Sequence, residues 1–134
     1  MLVQKLLKNK ALFRLLFWIW LIAVFIFSSI PNLDVPDKEI ANLIRSDYLI
    51  HFFQYLILGF FFVIWQQIKI KDYKNLLIGI IAGFIIGSVD EFHQVFIPGR
   101  AFNFIDLFLN ISGFIVGLFI SAYILLIIFR SIKA

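Results

Sequence analysis

Four long apolar runs, at residues 12–30, 48–68, 76–96 and 104–129, leave this chain few ways to fold. Each is close to the roughly 20 residues a helix needs to cross about 30 Å of hydrocarbon. A segment in hydrocarbon must satisfy its backbone N–H and C=O groups internally, which restricts spanning structures to helices and closed barrels. Barrel strands are shorter and alternate polar with apolar residues, and these runs do neither. Composition agrees: 63% of residues are hydrophobic, the mean hydropathy is +1.01 and only 15% are charged, against about 25% charged in soluble domains. The expectation is an all-α integral membrane protein, a four-transmembrane-helix bundle making a single domain over residues 1–134. With no cysteine, disulfides and thiol chemistry are excluded.

Breakers separate the runs. Pro31-Asn32-Leu33-Asp34-Val35-Pro36 follows the first, Lys69-Ile70-Lys71-Asp72-Tyr73-Lys74 the second, and Ile97-Pro98-Gly99-Arg100 the third, the last being a Pro-Gly turn signal. Lys5, Lys8, Lys10, Arg14, Lys69, Lys71, Lys74, Arg130 and Lys133 then fall on one side of the membrane, and only Lys38, Arg45 and Arg100 on the other. Cytoplasmic segments carry the excess of Lys and Arg, so both termini are expected to be cytoplasmic. The net charge of +4 thereby acquires a topological meaning, and no nucleic-acid partner is expected. Of the acids, only Asp72 falls on the inner side. The first run has the basic start of a secretory signal but exceeds the usual apolar length of about 7–15 residues, and is read as an uncleaved anchor.

The polar residues inside the runs are spaced helically. Asp47, His51, Tyr55 and Gly59 recur every four residues on the second run, which places them on one slowly drifting face. The third run carries Gly79, Gly83 and Gly87, then Asp90, Glu91 and Gln94; the fourth carries Asp106, Asn110, Gly113 and Gly117. All three stripes run from polar at the outer end to small residues deeper in. Small residues let helix backbones approach closely, and ionisable groups in lipid turn toward the bundle interior and pair there. Runs two to four are therefore expected to pack by their glycine faces and to open outward into a shared polar pocket completed by Arg100. The first run is expected at the periphery, with Ser28-Ser29 bordering the pocket.

Each part also has a purely structural reading. The glycine ladders serve packing, and His51 alone is more often a hydrogen-bonded structural residue than a ligand or base. Asp106 and Asn110 are residue types that start a helix. Arg100 can serve only to pair with Asp90 or Glu91, and Tyr48, Tyr55 and the tryptophans suit an interfacial belt. Convergence of so many polar groups from three helices at one depth argues for more than these roles.

Asp90-Glu91-Phe92-His93-Gln94-Val95-Phe96-Ile97-Pro98-Gly99-Arg100, followed by Asp106, Asn110, Gly113 and Gly117, resembles the signature of VanZ-like membrane proteins. The stretch from Asp47 through His51-Phe52, Tyr55 and Leu58-Gly59 is similar to a second motif of that family, and Phe27-Ser28-Ser29-Ile30-Pro31 to the end of its first span. One position departs: the family often has Lys after the Asp of the second span, where this chain has Tyr48. The resemblance implies a small multi-spanning protein of the bacterial cytoplasmic membrane, in which the charge distribution would place the polar cluster on the extracytoplasmic side. It also implies a link to low-level resistance to the glycopeptide teicoplanin, the property associated with the founding member.

Three functional classes stay open. A binding protein for a cell-envelope lipid or a lipid-linked peptidoglycan precursor suits Arg100, which can grip a phosphate or carboxylate, and the Asp and Asn groups, which take hydroxyls or amides. An enzyme on such a substrate is the alternative, because Asp90, Glu91, His51, His93 and Asp106 offer acid–base groups or metal ligands. Against it stands the lack of a Gly-x-Ser-x-Gly elbow or a His-Glu-x-x-His pair, so the balance falls against an enzyme. The third class is a structural partner subunit. A transporter fits least, with few spans and polar groups at one face instead of the midplane. No cofactor is expected; metal binding and oligomeric state are left open, and membrane lipids are the expected partners.

Overall fold

The structure, a computed structural model, describes residues 2–31 and 46–130, with side chains from 5 and from 48 onward in the two stretches. Among these residues there is no strand. The helices are α1 (Leu2–Leu7), α2 (Lys10–Ser28), α3 (Ser46–Gln66), α4 (Tyr73–Gln94) and α5 (Phe104–Arg130). The last four are long and apolar enough to cross a membrane, and the protein is an all-helical membrane protein of four such helices. Lys38, Arg45, Lys133 and all of the Pro31–Pro36 turn after Pro31 fall outside the described residues.

Polar caps, not the ends of the apolar runs, set the helix limits. Asn9 Oδ1 accepts from Leu12 N at 3.1 Å and opens α2 ahead of the run beginning at 12. Ser29 Oγ returns to Phe25 O at 2.6 Å, and Pro31 lacks the N–H to continue. Asp72 caps α4 through Asn75 N, so the helix starts at Tyr73 and not at 76. Gln67 ends α3 with φ 57°, the left-handed conformation that closes many helices. Its amide donates to Ile64 O at 2.5 Å and to Leu7 O at 2.8 Å, tying α1 to α3. Ile68, counted in the second apolar run, is buried in the turn beyond the helix.

α3 and α5 form the central pair: α5 packs most extensively on α3 and also carries α4, while α3 carries α2 and touches α4 only weakly. The α3–α5 seam is backbone on backbone. A Cβ at Gly59 would collide with Phe114 O, one at Gly113 with Phe52 O, and one at Gly117 with Leu56 O. The α4–α5 seam is looser: added Cβ atoms at Gly79 and Gly83 would meet the side chains of Leu118 and Phe114, at 2.6 and 2.5 Å. At Gly87 the nearest atom would be Asn110 Cβ at 3.4 Å, an ordinary contact.

α2 is more than a peripheral anchor. It lies along α3, buries Phe13 and Phe17, and stacks Phe17 on Trp65 with ring centroids 5.3 Å apart. Trp20 Nε1 donates to Gln54 O at 2.8 Å. The lipid-facing surfaces, with Phe84, Phe92, Phe108 and Ile120 exposed, are apolar, and Asp90, Glu91 and Asp106 are buried inside the bundle, as a lipid solvent requires.

Candidate functional site

Asp90 and Glu91, adjacent near the end of α4, have no exposed surface. A carboxylate in a dry interior needs hydrogen-bond donors, and each draws them from different helices. Asp90 Oδ2 accepts from Tyr55 OH of α3 at 3.0 Å. Glu91 Oε1 accepts from Asn110 Nδ2 of α5 and from Gln94 Nε2, both at 3.3 Å. Its Oε2 accepts from Asn103 N at 3.2 Å. Asn110, wholly buried, faces His51 with Oδ1 3.1 Å from Nδ1. Gln94 Oε1 accepts from Arg100 Nη1 at 3.4 Å, and Arg100 Nε donates to Ile30 O at 3.0 Å.

One chain of hydrogen bonds thus runs His51–Asn110–Glu91–Gln94–Arg100, across α3, α5, α4 and the connection after it. Its bond directions follow from Glu91 acting as the acceptor. Glu91 accepts, so Asn110 offers it the NH2 and turns its oxygen to His51, whose Nδ1 then carries the proton. Arg100 is joined to Glu91 through Gln94 and does not meet a carboxylate directly among the described residues. His51 and His93 lie within electrostatic reach of Asp90. Ser28 of α2 approaches the same carboxylate without completing a hydrogen bond, so Ser28 Oγ and Asp90 Oδ1 are buried and unpartnered among the described residues.

In front of this network lies a cavity of about 370 Å³ between the end of α2, the start of α3 and the α4–α5 connection. Ser28, His51, Gln54 and Arg100 give its wall polar character, and Phe27 and Ile50 give it apolar surface. Of the residues singled out from sequence, His51 and Arg100 line the cavity, while Tyr55, Asp90, Glu91, Gln94 and Asn110 stand behind it as the hydrogen-bonded support. Asp106 is linked at one remove: Asn103 Nδ2 donates to Asp106 Oδ2 at 2.9 Å. The backbone of Asp47 lies in α3, but its side chain is outside the described residues. No three His, Asp or Glu residues are placed to share a metal ion among the described residues.

Asn103 and Gln54 were not singled out from the sequence. Asn103 Oδ1 accepts from Ile105 N at 2.9 Å and so opens α5; the role expected of Asp106 and Asn110 belongs to it. Its signal was legible, since Asn103-Phe104-Ile105-Asp106 spaces a cap residue and an acid as a capping box does. Gln54 carried a weaker one, a polar residue three positions after His51 inside an apolar run.

The family model described as VanZ/LLP1 matches residues 11–129. No curated protein and no solved structure matches the chain significantly.

Proposed function

The chain belongs to the VanZ-like family of membrane proteins, and from that premise we propose that its polar cavity binds the phosphate-bearing head of a cell-envelope lipid, foremost a lipid-linked peptidoglycan precursor. The cavity opens to the extracytoplasmic side, both termini face the cytoplasm, and the membrane is the bacterial cytoplasmic one, as the Lys and Arg distribution directs. Sequestering or competing for a glycopeptide's target at that surface would then produce teicoplanin resistance.

The observation that carries this reading is Arg100. Its guanidinium stands at a cavity wall and is held there by Ile30 O and Gln94 Oε1, within electrostatic reach of Glu91 but joined to it through Gln94. A planar cation with unspent donors in a partly dry site suits a phosphate. The hydrogen-bonded chain behind it fixes Gln94, and hence the guanidinium, at a defined position.

The test titrates purified protein with a lipid-linked precursor and, in parallel, with the same lipid tail lacking phosphate. Binding of the first alone, lost in Arg100→Ala and strongly weakened in Arg100→Lys, is expected. Teicoplanin susceptibility of a sensitive host expressing the same variants at matched membrane levels reports the cellular consequence. Equal binding of both lipids, or cytoplasmic labelling of an Arg100→Cys variant, would sink the reading.

His51 supports a second, enzymatic reading on the same substrate. With Nδ1 donating to Asn110, Nε2 is the ring nitrogen left to act as a base at the cavity wall. Turnover of the bound precursor that His51→Ala abolishes while binding persists would select this reading over simple binding.

A further inference from the structure

At the opposite end of the bundle a separate cavity of about 460 Å³ lies between the α3–α4 connection and the last turns of α5. That size falls within the about 300–1,000 Å³ of typical ligand sites. Its floor is one face of α5: Ala122, Leu125, Leu126 and Phe129, spaced three, one and three residues apart as a single helical stripe about 10 Å long. Its rim is cationic, with Lys69, Lys71 and Arg130 around the opening. Lys8 adds a fourth charge, its Nζ 5.5 Å from the centroid of the Phe129 ring.

The cations outnumber the acids here: Asp72 is the one acid close to this rim among the described residues, and Asn75 N and Nδ2 hold its carboxylate oxygens in place as the cap of α4. Four cations with exposed stems around an apolar slot at the membrane surface complement a ligand that is anionic at its head and apolar below it. Topology signalling by itself needs only the charges, and a slot of this size beneath them is not part of that requirement.

We propose that this cavity is a binding site for an anionic glycerophospholipid from the adjoining leaflet, with its phosphate at Lys69, Lys71 and Arg130 and an acyl chain along Leu125, Leu126 and Phe129. The site is independent of the Arg100 cavity and does not rest on its ligand.

Native mass spectrometry of the purified protein in neutral detergent, titrated with phosphatidylglycerol and with phosphatidylcholine of the same acyl chains, tests it. Wild type should retain phosphatidylglycerol at least about tenfold more tightly than phosphatidylcholine. The Lys69→Gln/Lys71→Gln variant should lose most of that preference. Lys10→Gln/Lys74→Gln, which removes the same charge from the same end outside the cavity, should keep it. Leu126→Trp fills the slot at constant charge and should abolish retention. Equal losses in the two lysine pairs would reduce the effect to diffuse attraction and overturn the proposal. Unaltered retention in Leu126→Trp, or full competition by soluble glycerol phosphate, would remove the acyl-chain half and overturn it equally.

Discussion

One end of the bundle buries its charges and the other wears them. Asp90 and Glu91 sit without exposed surface among donors supplied by α3, α5 and the α4–α5 connection, whereas Lys69, Lys71 and Arg130 stand exposed around a greasy slot. The difference teaches where position matters. A buried carboxylate must have particular partners at particular distances, so the end that holds Asp90 and Glu91 is specified residue by residue. An exposed cation is satisfied by water and lipid phosphates, so the end that carries Lys69 and Lys71 is specified by sign, number and the shape beneath.

The largest expected effect strikes what both ends share. Gly113→Ala places a methyl group against the backbone of Phe52, separates α3 from α5 and should destabilise the protein by about 3 kcal/mol. Gly87→Ala, with an ordinary contact at 3.4 Å, should melt like wild type; thermal unfolding in detergent distinguishes them. Next comes Asn110→Ala, which strips both His51 and Glu91 of a hydrogen bond. It should cost about 2 kcal/mol and weaken precursor binding while phosphatidylglycerol retention persists. If both sites fail together, the two ends are not separable. Arg100→Lys follows: little change in melting, but a several-fold loss of precursor binding as the planar fork disappears. Smallest is the stability effect of Lys69→Gln/Lys71→Gln, within about 0.5 kcal/mol, even though lipid preference changes. A marked drop in melting temperature there would mean that these cations hold the fold after all.

Much of this was legible before any coordinates. Run lengths gave the four spanning helices, and four-residue spacing brought His51, Tyr55, Asp90 and Asn110 to one depth, because helical periodicity alone determines which residues share a face. Helix pairing was not legible. Gly113 and Gly83 look alike in sequence, yet one abuts a backbone carbonyl and the other a Phe ring, a difference set by the partner helix. Charge arithmetic suggested that Arg100 meets Asp90 or Glu91, but Gln94 intervenes, since a neutral amide that can both donate and accept leaves no trace in a charge pattern. The slot beneath Lys69 and Lys71 was invisible for another reason. Its rim and floor lie some fifty residues apart along the chain, and the lysines there had a sufficient explanation in topology.

Asp90 and Glu91 are consecutive on one helix and therefore project about 100° apart. The first reaches Tyr55 on α3, the second Asn110 on α5. Two anchors at different azimuths fix the rotation of α4 about its own axis, which the smooth glycine ladder below them does little to define. Inserting one residue between Gly87 and Asp90 would swing both carboxylates out of alignment together, so the acidic pair works as a rotary key: whatever varies on the lipid-facing side of α4, its angular setting is determined at this single dipeptide.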